Sequence, residues 1–353
     1  MKMSYLRNLG LIFIVLFIIG SPAALADGGK ISGLYFGDYY YIAAHHDEDL
    51  KSRNGFWTRR VYLTYDQKLN ETFSSRVRFE MNSPEGLPKG SKEGSSGKNI
   101  PYVKDAYLKI SPKDSPHSIY LGRSMVPTYA VLVKLWGYRA VERSMPNLQK
   151  YGSTRDLGVA VKGKVPGVDM LSYHAMIGNG AGTGAETDKY KRGYLSATLK
   201  PSGGVIAQGY VDLEVRDAGM NRMTFMGLLG YQMDNYRAGV QFSHQIRGQG
   251  EGVDDVSIQG VSVFGAAAVK PEKIWVFGRV DKMLSVNPGA PDIKYARMSG
   301  DAKSNTIIAG VDYRPVKNVH IIPNVLMSFY DSPDVGEKPG ADLMARVTLY
   351  YKF

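Results

Sequence analysis

Hydrophobic and polar residues alternate along most of the chain, most regularly in its last segment. Apolar side chains occupy every second position from Leu343 to Phe353, and Arg346, Thr348 and Lys352 are among the residues between them. An alternation of period two places the two sets of side chains on opposite faces of a β-strand. Faces that differ this much in polarity are typical of a barrel wall between lipid and water.

The same alternation recurs upstream and predicts sixteen strands. Short and long connections follow one another in turn, as in transmembrane barrels with short periplasmic turns and long outer loops. The sequence therefore predicts an all-β fold, a transmembrane antiparallel β-barrel of about 16 strands, wide enough to enclose an aqueous channel. The predicted strands are 30–44, 55–67, 72–82, 101–111, 117–124, 155–163, 168–178, 188–199, 204–216, 221–232, 235–246, 256–268, 272–284, 303–315, 318–330 and 340–353.

Residues 1–26 have the pattern of a cleaved signal peptide. Lys2 and Arg7 precede the apolar stretch 9–20, and Ala24 and Ala26 form a small-residue cleavage signature. The alternative is an uncleaved membrane anchor. We expect residues 27–353 to form a single exported barrel domain, because no later apolar run approaches the ~20 residues of a spanning helix.

Composition narrows the chemistry. The 353 residues include 40 glycines, 24 tyrosines and no cysteine. The lack of cysteine excludes disulfide scaffolds, thiolate metal sites and covalent haem attachment, and no cofactor is expected. The formal net charge is +11. No nucleic-acid motif accompanies this charge, so we assign it to the pore and the loops.

Residues 125–154 form the longest predicted connection, and they are apolar and aromatic where the loop 83–100 is rich in glycine, serine and lysine. Apolar side chains such as Trp136 and Tyr138 would be costly in water. We expect this third outer loop to fold into the lumen and form the constriction; the alternatives are an outer lid and a trimer-contact patch. The charged residues of the loop are Lys134, Arg139, Glu142, Arg143 and Lys150.

Successive side chains of a strand point to opposite faces, so odd or even position (parity) along a strand predicts which charged side chains face the lumen. Three of them, Arg60, Arg76 and Arg78, come from adjacent strands. They form either a basic ladder near the constriction or ordinary ion pairs, for example of Arg78 with Glu80 or Asp105. The basic residues predicted to face inward are Arg60, Arg76, Arg78, Lys109, Lys162, Arg192, Arg279 and Arg346, and the acidic ones are Glu80, Asp105, Asp212, Glu214, Asp281 and Asp312.

Arg59 does not fit this parity, since it shares the lipid-facing row of Trp57 and Val61. Either its side chain extends to the headgroup level, or a β-bulge changes the register.

Two other site types have weaker support. The cluster His45, His46, Asp47, Glu48 and Asp49 is either a divalent-cation site or a solvated outer loop, and we favour the loop. An enzyme of the phospholipase type needs a serine–histidine pair near the lipid face; His244 beside Ser243 is one candidate, and His320 has no clear partner. An adhesin or a sleeve around a partner protein is a further alternative.

Several segments resemble the phosphate-selective porin O and P family and related Gram-negative porins. The resemblance implies a bacterial outer-membrane porin, a homotrimer among lipid and lipopolysaccharide, and an arginine ladder to which Arg60, Arg76 and Arg78 correspond. The terminal Phe353 resembles the insertion signal that the barrel assembly machinery recognises. The matching segments are Arg59–Leu63, Phe73–Glu80, Leu121–Arg123 with Pro127, Glu142–Pro146, Ser153–Val159 and Phe277–Asp281.

Together these features predict a water-filled diffusion channel for small hydrophilic solutes. The loop 125–154 adds four positive charges and one negative charge to the constriction, which favours weak to moderate selectivity for anions, with phosphate-like anions as one class. The residues expected to face the passing anion are Arg60, Arg76, Arg78, Lys134, Tyr138, Arg139, Glu142 and Arg143.

Overall fold

Sixteen antiparallel strands close into a barrel in the computed structural model, which describes residues 28–83 and 99–353. Each strand pairs with its neighbours in sequence, and the first strand pairs with the last. The strands are β1 (Lys30–Ala44), β2 (Asn54–Lys68), β3 (Phe73–Asn82), β4 (Ile100–Ile110), β5 (His117–Met125), β6 (Arg155–Val165), β7 (Val168–Gly178), β8 (Arg192–Leu199), β9 (Val205–Glu214), β10 (Arg222–Gln232), β11 (Tyr236–Arg247), β12 (Val256–Lys270), β13 (Ile274–Met283), β14 (Ser304–Tyr313), β15 (Val319–Tyr330) and β16 (Asp342–Lys352).

The predicted fold class is confirmed, and the predicted strand bounds differ from the observed ones by a few residues. The largest difference is at β8, which begins at Arg192 rather than at residue 188. The predicted signal peptide of residues 1–26 lies outside the described residues, as does most of the predicted loop 83–100.

The alternating sequence produces a barrel with two chemically different faces. Along β8 every second residue is buried, beginning with Arg192, and the residues between them are exposed. Half of the side-chain surface of Leu195 is exposed, and Val347 of β16 is 46% exposed. Rows of exposed aliphatic side chains on every wall strand would be costly in water, so this outer face suits a lipid environment.

The connections differ in length between the two ends of the barrel. At one end they are short, such as 69–72, 166–167 and 271–273, and at the other they include 126–154 and 284–303. Two short helices lie in the longest connection, α1 (Ala130–Trp136) and α2 (Met145–Leu148). None of the helices in the described part of the chain is long and apolar enough to cross a membrane.

A β-bulge explains the position of Arg59. The register between β1 and β2 shifts so that Phe36 pairs with Arg60 and Gly37 with Thr58, leaving Arg59 as the extra residue. Both Arg59 and Arg60 are buried on the inner side, with 1% and 4% of their surface exposed. Of the two explanations for the parity of Arg59, the bulge is therefore correct, and the lipid-facing position is wrong.

Candidate functional site

The connection 126–154 begins with a helix that ends at a glycine. The backbone of Gly137 has a φ of 71°, a left-handed conformation that glycine adopts without strain, and its N–H donates to the carbonyl of Val133 at the C-terminal end of α1. A Cβ at this position would lie 2.2 Å from Nη2 of Arg237. Gly137 thus permits both the turn after α1 and the close approach of a wall arginine.

Aromatic side chains anchor this connection to the inner wall. Trp136 and Tyr138 are 1% and 3% exposed. The ring of Trp136 packs edge-on against Phe264 and Phe277, with centroids 5.7 and 6.0 Å apart, and Tyr138 stacks on Phe277 at 4.0 Å. Buried aromatic surface of this size dominates the packing of a loop, so β12 and β13 hold the connection on one side of the lumen.

Arginines of the wall strands bind the backbone of the same connection. Arg59 donates to the carbonyls of Ala140 and Val141, the latter at 2.9 Å. Arg279 of β13 donates to the carbonyl of Arg143 at 2.5 Å. Charged donors make strong hydrogen bonds in buried surroundings, and the two arginines come from two different strands, β2 and β13.

Glu142 is the acidic residue of the connection, and its carboxylate contacts the barrel wall. Its Oε2 lies 3.4 Å from Nη1 of Arg346, and its Oε1 accepts the backbone N–H of Arg143 at 2.9 Å. Burial would raise the pKa of Glu142, but Arg346 and Arg59 outweigh burial and lower that pKa to about 2. The carboxylate therefore stays ionised and compensates the charge of Arg346.

Five cationic side chains gather around two carboxylates, Glu80 and Glu142, at the level of this connection. Glu80 lies 2.8 Å from Nε of Arg60 and 3.0 Å from Nζ of Lys104. The side chains of Arg139 and Arg143 have no carboxylate partner among the described residues. We call Arg60, Lys104, Arg139, Arg143 and Lys294 the cation cluster, because each lies within electrostatic reach of another member.

Burial is the main cause of the low pKa values of the two loop arginines, and Glu142 offsets only part of its effect. Burial, together with the nearby charges of Arg60 and Arg143, lowers the pKa of Arg139 to about 9. Burial and Arg60 also lower the pKa of Arg143. A guanidinium group normally keeps its proton at any ordinary pH, so a shift in this direction indicates a site where a counter-anion would be stabilising.

A second long connection, 284–303, reaches the cation cluster, and sequence reasoning did not identify it. The hydroxyl of Tyr295 donates to the carbonyl of Arg59 at 3.2 Å, and the guanidinium of Arg143 lies 5.5 Å from the Tyr295 ring centroid. Tyr295 is 4% exposed, and Ile293 and Met298 are also buried. Apolar residues in a predicted outer loop were the feature that identified 125–154 as an inserted loop. The same feature is present in 284–303 and could have identified it from the sequence.

The strand arginines predicted to form a ladder are paired with acids. Arg76 makes a bidentate contact with Asp66 at 2.6 and 2.9 Å. Arg78 lies 3.1 Å from Asp105. Of the two alternatives for these residues, ion pairing is the one that the structure has, because the register of β2, β3 and β4 places acids opposite them.

Lys134 does not belong with the two loop arginines, contrary to expectation. It is exposed on α1 and shares a cavity with Lys200 and Asp234, which lie in short connections at the other end of the barrel. Arg139 instead follows Gly137 and lies near Tyr62 in a different cavity. The turn at Gly137 separates them.

Phe353 lies on the outer face beside the first strand. Its backbone N–H donates to the carbonyl of Gly33 at 3.1 Å, and the Gly33 N–H donates back at 2.7 Å. The ring covers Gly33, where a Cβ would come within 2.2 Å of the phenyl Cζ, and 65% of the side chain is exposed.

The histidine candidates for catalysis are arranged differently from the prediction. Ser243 is fully buried on the inner side, so it lies on the opposite face from His244. Nε2 of His244 is instead 2.9 Å from Oγ of Ser257 on the exposed side. His320 contacts Asp312 at 2.9 Å. The enzyme alternative through Ser243 and His244, which the sequence supports only weakly, therefore gains no support from the structure.

Residues 45–49 form neither the cation site considered as an alternative nor a fully solvated loop, since His45 is 6% exposed. His45 and His46 turn toward Asp342, whose Oδ1 is 3.8 and 2.8 Å from their respective Nδ1 atoms. The acids that follow them contact other groups, since Asp47 pairs with Arg297 and Glu48 with Lys51. The consecutive acids Asp47, Glu48 and Asp49 therefore do not form one site with the two histidines.

Comparison with known proteins identifies the fold. No protein-family model matches the chain, and no curated protein matches it in sequence. Among solved structures, the anion-selective porin from Comamonas acidovorans has a TM-score of 0.63 at 13% identity, over 92% of this chain and 99% of that chain. OmpF of Salmonella typhi in complex with daunomycin has a TM-score of 0.63 at 14% identity, over 93% and 99%. The outer membrane channel DcaP of Acinetobacter baumannii has a TM-score of 0.62 at 14% identity, over 92% and 98%. At these identities the likeness shows the fold alone, which this chain shares with outer-membrane porins.

Proposed function

We propose that this protein is a bacterial outer-membrane porin, a water-filled channel for small hydrophilic solutes that prefers anions. The barrel fold, the apolar outer face and the charged inner face support the channel. The observation that carries the anion preference is the cation cluster, in which Arg139 and Arg143 lack carboxylate partners within the ranges 28–83 and 99–353.

The charge balance at this level explains the direction of selectivity. Glu80 is shared by two cations, and Glu142 is occupied by Arg346. A permeating cation would therefore meet several like charges within about one Debye length, ~8 Å at physiological salt. Repulsion in a narrow lumen of low dielectric is screened less than on an open surface. An electrostatic bias of only ~1.4 kcal/mol is enough for tenfold discrimination.

The wall farther from the cluster moderates this preference. Many inward arginines are neutralised by neighbouring acids, as in the pairs of Arg76 with Asp66 and of Arg192 with Asp212. Three others in the described residues, Arg222, Arg237 and Arg247, make no ion pair. Selection then depends on Arg139 and Arg143 together with the unpaired cations of the wall. We propose weak to moderate preference, with phosphate as one anion to test because of the family resemblance.

Assembly as a trimer in the outer membrane is part of the same proposal. One structural neighbour, OmpT of Vibrio cholerae, an outer membrane protein, is described in a trimer form and has a TM-score of 0.59. Solute flow requires only one barrel, so the selectivity proposed here does not depend on the number of subunits.

Replacing both loop arginines tests the proposal. The variant R139Q/R143Q removes the two uncompensated charges and should move the zero-current potential in a potassium chloride gradient toward cation selectivity. K270Q/K273Q is a matched control, because it removes two exposed lysines near a short connection. The control should leave the potential unchanged. Equal shifts in both variants would mean that net charge, and not the cluster, sets the preference.

The same bilayers can test the choice among anions. Adding phosphate to wild type should reduce chloride current if the cluster holds the larger anion longer. The reduction should be smaller in R139Q/R143Q than in K270Q/K273Q. No difference between the two variants would argue against phosphate recognition by these arginines and would leave general anion preference as the proposed property.

A further inference from the structure

Two imidazoles and one carboxylate converge where the barrel closes. His45 and His46 follow the last residue of β1, and Asp342 begins β16. Nδ1 of His46 and Nδ1 of His45 are 2.8 and 3.8 Å from the same oxygen, Oδ1 of Asp342. The two rings stack with centroids 4.4 Å apart. One ligand atom from each of the three residues lies within 4.8 Å of the others.

These distances suit a metal ion bound between the three side chains. Imidazole nitrogen and carboxylate oxygen are the ligands used for zinc, copper, nickel and non-haem iron. With metal–ligand bonds of about 2.0–2.1 Å, neighbouring ligand atoms of a tetrahedral ion are ~3.3–3.4 Å apart. The two separations from Oδ1 of Asp342 lie on either side of that value, so small side-chain shifts would accommodate an ion.

The imidazole of His45 is buried beside Asp342. Only 6% of the residue is exposed, and its Nδ1 is the ring atom that lies 3.8 Å from Oδ1 of Asp342. Its Nδ1 accepts the backbone N–H of Asp47 at 2.9 Å. An ion bound at Nδ1 would replace the Asp47 hydrogen bond with a stronger interaction.

The carboxylate of Asp342 is already held in place. The backbone N–H of His46 donates to Oδ1 at 2.8 Å, and the hydroxyl of Tyr330 donates to Oδ2. Hydrogen bonds of this kind orient the carboxylate ligands of metal sites and strengthen binding. Asp342 is 5% exposed, so its orientation is fixed by the protein rather than by solvent.

We propose that His45, His46 and Asp342 bind one divalent transition-metal ion of the zinc or copper type. Three protein ligands leave a fourth position open for water. The ion would cross-link the first and last strands at the end of the barrel that carries the long connections. This site is separate from the cation cluster and does not rest on the proposed function.

The site is connected to the loop that reaches the cation cluster. The hydroxyl of Tyr330, which contacts Asp342, also accepts the backbone N–H of Ser299 at 3.1 Å. Ser299 belongs to the connection 284–303, as does Tyr295, whose hydroxyl contacts the carbonyl of Arg59. An ion that fixes Asp342 would therefore also steady this connection. Unlike the binding itself, an effect of zinc on open-channel current noise rests on the proposed function, and there we expect bound zinc to reduce the noise.

Zinc binding by the detergent-solubilised full chain tests the proposal. After treatment with a chelator, isothermal titration with zinc should give one site per barrel, and cobalt should give the visible absorption of a four-coordinate ion. H45A, H46A and D342N should each weaken binding by about tenfold or more. H244A is the matched control, because His244 lies on the outer face, and it should bind as wild type does.

Two results would overturn the metal site. One is the absence of zinc binding at millimolar concentration in wild type, and the other is wild-type affinity in both H45A and H46A. If D342N fails to form a heat-modifiable barrel, the two histidine variants decide alone. The channel's ion selectivity is measured separately, so failure here would leave the proposed porin function untouched.

Discussion

Ion pairing at single residues divides the inner charges into two groups. Strand arginines such as Arg76 and Arg279 have carboxylates on the same or adjacent strands, at 2.6 and 2.7 Å. Arg139 and Arg143 lie on a connection where the acid between them, Glu142, is bound to Arg346. Within the described part of the chain, cations without an ion pair therefore occur on the connection, at Arg139 and Arg143, and also on wall strands, at residues such as Lys162 and Arg237.

One glycine controls where these arginines point. G137A places a Cβ on a residue with a φ of 71° and 2.2 Å from the Arg237 guanidinium. We expect a loss of about 1–3 kcal/mol in the local stability of the turn and a noisier open channel. The measurement is single-channel current noise.

G152A is the control for this variant. Gly152 lies in the same connection, but its Cβ would meet Arg192 only at the ordinary contact distance of 3.4 Å, and its φ is not in the left-handed region. It should behave as wild type does. Equal noise in the two variants would show that any added methyl group, rather than the turn, is responsible.

At the scale of elements, the strands were predictable and the inner packing of the connections was not. Lipid and water impose period two on every wall strand, so the bounds of β16 and its neighbours follow from local sequence. The contacts of the connections are remote, since Glu142 and Arg346 are 204 positions apart. The bulge at Arg59 could not be predicted with certainty, because an arginine in the lipid-facing row is compatible both with a bulge and with a side chain that extends to the headgroups.

The candidate site was predicted in part. The apolar character of residues 125–154 identified the connection that carries Arg139 and Arg143. The apolar composition did not show that Lys134 lies apart from Arg139 and Arg143, because their separation depends on the turn at Gly137. Asp342, the third ligand of the proposed metal site, is far from His45 and His46 in sequence, and only the closure of the barrel brings it near.

The anchoring of the connection 126–154 depends on Trp136. W136A would remove packing against Phe264, Phe277 and the Arg279 guanidinium, which lies 4.9 Å from the indole. Loss of a buried tryptophan costs about 3–5 kcal/mol. We expect the connection to detach from the wall in a fraction of molecules, which changes single-channel conductance.

F242A is the comparison for this variant, because Phe242 is a large aromatic residue on the outer face, 42% exposed. It should have the conductance of wild type. If W136A also keeps the wild-type conductance distribution while folding normally, the connection is held by its hydrogen bonds to the wall arginines rather than by aromatic packing.

The whole molecule is a barrel with an apolar exterior, and this predicts its behaviour on purification. The protein should require detergent, give a strand-rich circular dichroism spectrum and migrate faster on gels before heating than after. The physical reason is that all sixteen strands are paired around the closed barrel, so unfolding must break it as a unit. A helical spectrum, or solubility without detergent, would contradict the fold described here.

The most direct test of anion preference is the zero-current potential of wild type in a potassium chloride gradient. At low salt the potential should have the sign of chloride preference, because the cation cluster repels potassium. The preference should decline as salt rises and the Debye length falls from ~10 Å at 0.1 M to ~3 Å at 1 M. A potential with the sign of potassium preference at low salt would contradict the account.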